Sequence, residues 1–468
     1  MLERFFKLSE NQTTARIELL AGITTFLTMA YIIVVQPAVL SGAMFGMKTG
    51  LDFGAVMTAT CLAAALATGL MALLARYPIA QAPGMGENFF FVFSTIPAAT
   101  ATAAGFADGW QVALGVVFIS GVLFLILSLV GLREMIFNAI SPSMKCAIAA
   151  GIGLFIAFIG LQNTGLIVKD TGSAVKLNAH FTSPDLIVFF LGLLTSTVLH
   201  AKKIRGSILW GIVAATLLSA ALKLILANSP SPLFAKSMLA NHFTFAKGIV
   251  AAPPPISPTF LQIDIVHALS PAMLPFVFVF LFMLTFDAIG TLIGVCEQAG
   301  FVRDNKLPRA KQAMVSDAIG TVAGAALGTS TVTSFIESAD GVEQGGRTGL
   351  TGIVVAILFL AALFFSPLIA MVGSYPPITA PALVIVGAMM LQNLANIDWK
   401  DYTETIQAFL TLIGIPLSYS IADGLALGFI SYPNIKLFSG RGREAGWLTY
   451  VLAIVLVVYF SFVRSKMG

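Results

Sequence analysis

Apolar runs of helical length alternate with short polar joints along almost the whole chain. They cover residues 17–40, 54–75, 84–98, 110–131, 142–168, 184–200, 206–227, 270–298, 313–328, 334–343, 348–372, 376–395, 402–416, 418–435 and 446–463. Because a transmembrane helix needs roughly 20 mainly apolar residues, about fourteen of these runs qualify as membrane segments, counting broken ones. The pattern predicts an all-α polytopic membrane protein. The final run is an extra C-terminal helix, which either spans the bilayer or lies along its surface.

Two of the runs, 84–98 and 334–343, are too short to cross a bilayer as one helix. Each follows a stretch that resists helix formation. Prolines and glycines interrupt residues 77–86, and residues 324–333 end in Thr and Val, which favour extended backbone. Extended backbone at membrane depth is stable only where protein or a water-filled cavity covers it. Both stretches are therefore predicted to form short strands inside the protein.

The two broken runs occupy matching places in the chain. One is the third run counted from residue 17, and the other is the third counted from residue 270, after a long Pro-rich joint at 228–269. Because seven segments precede that joint, the two halves are expected to have opposite orientations in the membrane. Inverted repeats with broken helices in matching positions are typical of secondary transporters, whose site lies at the midplane between the broken segments.

Composition and charge reduce the number of possible functions. Of the 468 residues, 57% are hydrophobic and only 10% are charged, against about 25% charged residues in ordinary soluble domains. This excludes a soluble enzyme, a nucleic-acid-binding protein and a disordered chain. The cysteines and histidines show no disulfide or metal-ligand spacing, so no metal and no other cofactor is expected.

Basic residues predict the orientation of the segments in the cell membrane. With the N-terminus inside, the short outer joints at 99–109 and 373–376 contain no Lys or Arg, as the positive-inside rule requires. The predicted cytoplasmic joints contain Arg76, Arg133, Lys202, Lys203, Arg205, Arg303, Lys306, Arg309 and Lys311.

Acidic residues inside the apolar runs are the candidate functional groups, because an ionisable side chain in the membrane is costly and functional by default. Glu337 lies in the second short run, and Asp287 lies in the middle of 270–298. Neither has a cation close by in sequence. Both are predicted to bind substrate or transfer a proton, and the alternative is a carboxylate satisfied by neighbouring hydroxyls and amides.

Other acids have simpler interpretations. Asp317 lies six residues after Lys311, which favours a helix cap or an ion pair at the cytoplasmic end. Glu297 is expected at the interface beside the basic joint, and Glu18 is interpreted as a first-turn helix charge. Asp423 lies in the middle of its run and has no assigned role.

The first broken segment contributes Glu87 and Asn88. Backbone N–H groups at the start of a half-helix direct positive dipole ends at a ligand. Asn88 offers a donor and an acceptor, which suits a heteroaromatic ligand with alternating N–H, C=O and ring nitrogen. Phe89, Phe286 and Phe335 flank these polar positions and are able to stack on a flat ligand, although packing in the core or against lipid is the default for phenylalanine in a membrane protein.

The motifs at these positions resemble a known family. Pro83-Gly-Met-Gly-Glu-Asn88, Phe286-Asp-Ala-Ile-Gly-Thr291 and Gly328-Thr-Ser-Thr-Val-Thr-Ser-Phe-Ile-Glu-Ser338 are similar to those of the AzgA-like purine permeases. That branch belongs to the xanthine/uracil permease, or nucleobase–cation symporter, superfamily. The resemblance extends over nearly the whole chain. One departure is Glu87, where members of the branch usually have an apolar residue, and this affects the expected substrate preference and proton stoichiometry.

The resemblance implies fourteen segments in two inverted repeats of seven, with the short strands in segments 3 and 10. It divides the chain into core parts at 1–131 and 270–372, gate parts at 132–227 and 373–468, and the joint 228–269. It further implies a homodimer in the cytoplasmic, or inner, membrane. The resemblance implies that Asp287, Glu337 and Asn88 are the purine-site residues. Together with positions close to them in sequence, the predicted substrate-binding residues are Glu337, Asp287, Asn88, Phe89, Phe286, Phe335, Ser334 and Gly86. The predicted proton-coupling residues are Asp287, Glu337 and Glu87.

The resulting prediction is a proton-coupled importer of purine nucleobases such as guanine, hypoxanthine or adenine, in which the core slides against the gate. A uracil, xanthine or anion carrier of the same architecture is the alternative. A channel and an intramembrane hydrolase are two further hypotheses. A channel would show conductance far above transporter turnover, and no His or Cys lies near the acids to serve a hydrolase.

Overall fold

The chain is mainly helical, as the apolar pattern predicts. The computed structural model describes residues 2–102, 108–130, 141–170, 172, 174–227, 232–235, 237–301 and 307–458. Its α-helices are Leu2–Phe6, Ala15–Met29, Ile32–Leu40, Phe53–Leu70, Met85–Phe90, Ile96–Thr102, Gly109–Val130, Pro142–Asn163, Pro184–Ala201, Ser207–Ala227, Pro232–Ala235, Met238–Asn241, Ile265–Ala268, Leu274–Gln298, Ala310–Leu327, Ser338–Glu343, Gly349–Ala362, Ser366–Gly373, Pro376–Met390, Tyr402–Ser418, Ile421–Phe438 and Trp447–Val458.

Eight helical stretches in the described part of the chain are long and apolar enough to cross a membrane by themselves. They are Ala15–Leu40, Phe53–Ala75, Gly109–Val130, Pro142–Asn163, Pro184–Ala201, Ser207–Leu226, Gly349–Gly373 and Pro376–Asn396. The helix Leu274–Gln298 is also long and apolar, at 25 residues. The two broken segments contain shorter helices. The last apolar run is helical over Trp447–Val458, and its remainder lies outside the described residues.

The broken segments meet at a two-stranded antiparallel sheet. Strand β1, Gln81–Pro83, pairs with β4, Val332–Ser334, and Ala82 lies opposite Thr333 at the centre of the register. All six strand residues are buried. A short helix follows each strand, Met85–Phe90 after β1 and Ser338–Glu343 after β4. The prediction of an all-α polytopic fold with short strands in segments 3 and 10 is confirmed.

A second antiparallel sheet was not predicted. Strands β2, Ile167–Asp170, and β3, Ala174–Leu177, form a hairpin after the helix Pro142–Asn163. The apolar run 142–168 had been assigned to one segment throughout. Gly165, at φ +73°, turns the chain out of the helix before that run ends.

The first span is also interrupted, between the helices Ala15–Met29 and Ile32–Leu40. Pro37, which lies inside the second of these helices, has no N–H to donate to the preceding turn. Tyr31 is at the break, and Gln36 lies one turn further on. Both side chains are buried, and both point to partners on the broken segments.

Helices from the two halves of the chain pack closely through small residues. Pro142–Asn163 lies against Pro376–Met390, and a Cβ added at Gly387 would be only 2.4 Å from the Gly153 carbonyl oxygen. Likewise, a Cβ at Gly349 would be 2.0 Å from the Ala72 carbonyl oxygen. In a membrane, such close backbone approach replaces the hydrophobic effect as the source of helix association.

Candidate functional site

The place where β1 pairs with β4, called the strand crossing below, requires glycine at position 84. A Cβ at Gly84 would lie 2.3 Å from the Glu87 carboxylate and 2.6 Å from the Thr333 methyl group. The helix Met85–Phe90 starts immediately after it, and the Gly84 N–H donates to the Thr331 carbonyl at 3.2 Å. The half-helix therefore begins against the second broken segment.

Glu337 lies at the N-cap of the helix Ser338–Glu343. This helix starts four residues into the apolar run 334–343, because Ser334 ends β4 and residues 336–337 form a turn. The Tyr31 hydroxyl donates to Glu337 Oε1 at 2.8 Å. The Glu337 side chain is only half-buried, so its carboxylate is accessible to a ligand.

Asp287 lies beside the same strand. Thr333, on β4, donates its hydroxyl to Asp287 Oδ2 at 2.5 Å, and the Asp287 side chain is exposed. Thr333 itself is buried. Asp287 and Glu337, which belong to different elements, are thus both accessible beside the strand crossing. The residues of the two strands themselves are buried.

Glu87 is inside the protein, not in loop solvent. It is 3% exposed, and its carboxylate lies over Gly84 beside Thr333, the residue that binds Asp287. Glu87 and Asp287 therefore belong to one polar region. Two carboxylates that interact at close range disfavour each other's charged form.

Asn88 belongs to a closed amide cluster. It is fully buried, it donates to Gln36 Oε1, and its own Oδ1 accepts from Gln36 and from Ser330. Gln36 also contacts the Thr329 hydroxyl at 2.9 Å. Sequence reasoning missed Gln36, and its signal is an uncharged polar residue within the apolar run 17–40. In this arrangement Asn88 is not exposed to a ligand.

Asp317 lies at the strand crossing, so its assignment to a cap or ion pair near the cytoplasmic end is wrong. Its Oδ1 accepts from Ser334 at 2.9 Å and from the Gln81 amide. Asp317 is buried, and no ion pair joins it to a cation within the described residues. Its Oδ2 and Gln81 Oε1 have no hydrogen-bond partner in the same part of the chain. The predicted site residue Ser334 therefore binds a buried acid rather than facing an opening.

The predicted aromatic residues occupy different environments. Phe89 is fully buried and packs in a ring cluster with Phe45, Phe93 and Phe155, at centroid distances of 6.0, 6.2 and 6.3 Å. Phe335 is 7% exposed, directly after β4. The Phe286 side chain lies outside the described part of the structure.

Gly86 is half-buried in the first turn of the half-helix, with Ile152 and Met283 as its nearest neighbours.

Two further acids have contacts or positions that the sequence did not indicate. Glu18 lies in the first turn of Ala15–Met29, as predicted. It is also fully buried and caps the helix Gly349–Ala362, accepting from Arg347 N at 2.9 Å and from Thr351 Oγ1 at 2.6 Å. Asp423 lies in the first turn of Ile421–Phe438, because the helix is capped by Ser420. The Glu297 side chain lies outside the described residues.

Comparison with known proteins identifies the family. The model of the Xan_ur_permease family, described as a permease family, matches residues 16–463. The chain belongs to this family. It is a multi-pass permease of the cell membrane, not an enzyme, and it resembles the purine permease branch as its motifs predicted.

Several relatives match over nearly their full length. A permease of Methanocaldococcus jannaschii is 47% identical over 465 residues, which is 99% of this chain and 99% of the relative. The guanine/hypoxanthine permease PbuG of Bacillus subtilis is 42% identical, covering 99% of this chain and 100% of PbuG. The adenine permease AdeP of Escherichia coli is 39% identical, covering 99% of this chain and 97% of AdeP.

Solved structures show the same fold at low sequence identity. The transmembrane domain of the cyanobacterial bicarbonate transporter BicA aligns with a TM-score of 0.61 and 14% identity, covering 88% of this chain and 97% of that domain. This likeness supports the architecture and carries no argument about the substrate.

Proposed function

We propose that the protein is a proton-coupled importer of purine nucleobases. The observation that carries the proposal is the pair of accessible carboxylates, Asp287 and Glu337, beside the strand crossing. The names of the relatives PbuG and AdeP, which give guanine, hypoxanthine and adenine as substrates, support purine as the substrate class.

Glu337 accepts N–H bonds from the base in this proposal. Purines carry ring and exocyclic N–H donors, and a bond to a charged acceptor contributes about 1.5–3 kcal/mol. Tyr31 occupies Glu337 Oε1, which leaves the second carboxylate oxygen for the ligand. Phe335 and Phe286 stack on the flat base. Asn88 is the third polar site residue. It forms hydrogen bonds with the edge of the base only when its own hydrogen bonds with Gln36 break.

Asp287 carries the coupling proton. Its accessible carboxylate can exchange protons with water, and it is tied through Thr333 to the strand that precedes Glu337. Binding of the purine at Glu337 is therefore linked to the protonation state of Asp287. Glu87, on the other side of Thr333, adjusts that coupling or the purine preference.

Transport follows an elevator-type mechanism between the core parts, 1–131 and 270–372, and the gate parts, 132–227 and 373–468, which derive from a seven-plus-seven inverted repeat. Close packing within each set supports this division: Gly349 lies against Ala72 in the core, and Gly153 lies against Gly387 in the gate. The active form is a homodimer in which the gate parts stay fixed in the cytoplasmic membrane.

An anion carrier is disfavoured because the accessible side chains at the site are acidic. Competition experiments distinguish a uracil or xanthine carrier from a purine importer. A channel would pass substrate at rates far above the turnover of a transporter.

The test is uptake of labelled hypoxanthine into proteoliposomes containing the purified protein, with and without an inward proton gradient. Guanine, adenine, xanthine, uracil and bicarbonate serve as competitors. Gradient-dependent uptake that is blocked by guanine or adenine, and not by bicarbonate, is the expected result. Uptake that ignores the gradient would contradict the coupling, and competition by uracil alone would contradict the substrate class.

A further inference from the structure

The break in the first span places a tyrosine against the principal carboxylate of the site. Tyr31 is the N-cap residue of the helix Ile32–Leu40, and its hydroxyl donates to Glu337 Oε1 at 2.8 Å. Tyr31 and Glu337 are 306 residues apart in the sequence. The contact therefore joins the first span to the second broken segment, at the point where both lose regular helical structure.

Tyr31 acts on the ligand only through Glu337. The tyrosine is 2% exposed, whereas the Glu337 side chain is half-buried and accessible. A buried hydroxyl bonded to one carboxylate oxygen restrains the orientation of that carboxylate. It also favours the ionised carboxylate, because a hydroxyl that donates stabilises the charged acceptor.

The tyrosine is itself held firmly. Gln36, on the same helix, is fully buried and is bonded to Asn88 of the first broken segment and to Ser330 before β4. The helix that begins at Tyr31 is thereby fastened to both broken segments. A residue held in this way is able to set the geometry of Glu337, because its own position is fixed.

Two acids are the charged groups that act on Glu337 within the described residues, and His200 and Arg205 act on one of them, Asp340. Asp340 lies one turn further along the same short helix, and Asp287 faces Glu337 from the helix Leu274–Gln298. No ion pair to Glu337 is found within the described residues. The Tyr31 hydroxyl is thus the side-chain donor that offsets repulsion from two neighbouring carboxylates.

We propose that Tyr31 is a positioning residue of the purine site, which orients the Glu337 carboxylate as a hydrogen-bond acceptor. This inference rests on the proposed function, in which Glu337 accepts N–H bonds from the base. It adds a residue from the first span to a site otherwise made by the broken segments and the helix Leu274–Gln298.

The test is the variant Tyr31→Phe, which removes one oxygen and keeps the ring. Tyr375→Phe is the matched control, because Tyr375 is also buried and donates to a carboxylate, Asp185 Oδ1 at 2.6 Å, away from the strand crossing. Binding of hypoxanthine and guanine to the purified full-length proteins is measured across a pH series by calorimetry, with thermal unfolding as a check on folding.

We expect Tyr31→Phe to weaken purine binding about tenfold at neutral pH, the size of one bond to a charged acceptor. The acid limb of the binding profile should move to higher pH, because Glu337 takes up a proton more readily without the donor. Tyr375→Phe should leave both quantities unchanged. A purely structural role would lower the unfolding temperature without moving the pH profile.

A second measurement uses Glu337→Gln as background. Adding Tyr31→Phe to that variant should change purine binding less than twofold, because residues that act through one another are not additive. Full additivity, or wild-type affinity and pH profile in Tyr31→Phe, would overturn the inference while leaving the proposed function intact. Failure of the wild-type protein to bind any purine would overturn the proposed function, and this inference with it.

Discussion

Thr333 and Asp287 connect strand β4 to the helix Leu274–Gln298, through a hydrogen bond of 2.5 Å from the threonine hydroxyl to Asp287 Oδ2. The threonine is buried and the aspartate is exposed. The carboxylate is therefore anchored at one oxygen and accessible at the other. This arrangement keeps a proton-exchanging group in contact with the strand that leads to Glu337.

Asp287→Asn should abolish accumulation driven by an inward proton gradient and leave purine exchange measurable. An amide cannot change charge, but its oxygen can still accept from Thr333, so the site keeps its shape. Uptake by proteoliposomes with and without a pH gradient, alongside counterflow exchange, measures both quantities. Glu10→Gln, on an exposed surface residue, is the control. Wild-type accumulation in Asp287→Asn would transfer the proton role to Glu337 or Glu87.

Glu337→Gln should weaken purine binding at least tenfold. The substitution keeps the size of the side chain and the acceptor for Tyr31, and it replaces a charged acceptor by an amide, which costs about 1.5–3 kcal/mol per lost bond. Equilibrium binding of labelled hypoxanthine to the purified variant is the measurement. Near-normal affinity for any purine would remove Glu337 from the site.

Glu87→Leu should alter the ranking among purines or the pH optimum of uptake. The carboxylate is buried beside Thr333 and Gly84, so its removal relieves repulsion on Asp287. Competition by guanine, hypoxanthine and adenine is compared with that in Glu87→Gln, which removes only the charge. If neither variant changes ranking or pH optimum, Glu87 has no part in selection or coupling.

Glu18→Ala should lower stability without changing the site. Glu18 accepts four hydrogen bonds, from Arg347 N, Thr348 N, Thr351 N and Thr351 Oγ1. Losing a buried cap of this kind costs about 2 kcal/mol or more. The unfolding temperature in detergent should fall by several degrees, whereas Glu10→Ala should leave it unchanged. An unaltered unfolding temperature in Glu18→Ala would show that the cap is dispensable.

The architecture could be predicted from the sequence because the features that indicate it are local in the chain. Proline and glycine at 77–86 and Thr and Val near 331–333 mark the broken segments, and a carboxylate in an apolar run stands out as Asp287 and Glu337 do. Both carboxylates prove to lie near one strand crossing, although their roles remain predictions. The hairpin of β2 and β3 was missed because its first strand continues an apolar run.

The interior partners could not be predicted because they depend on contacts between distant parts of the chain. Gln36 stands out as a polar residue in the apolar run 17–40, but the sequence does not indicate its partners, nor those of Tyr31 and Gln81. Asp317 was misplaced for a related reason, since its distance from Lys311 along the chain suggested an ion pair. Its actual partners, Gln81 and Ser334, come from β1 and β4.

The pairing of β1 with β4 also constrains how the protein is made. Gln81 and Ser334, partners in that sheet, are 253 residues apart. During synthesis the first broken segment enters the membrane long before its partner exists, with peptide groups that lipid cannot hydrogen-bond. The peptide groups of that segment must therefore be shielded from lipid until the second half of the chain has been inserted. The insertion machinery or a temporary contact with the first span could provide this shielding. Truncation before residue 332 should leave a product that is recognised and degraded.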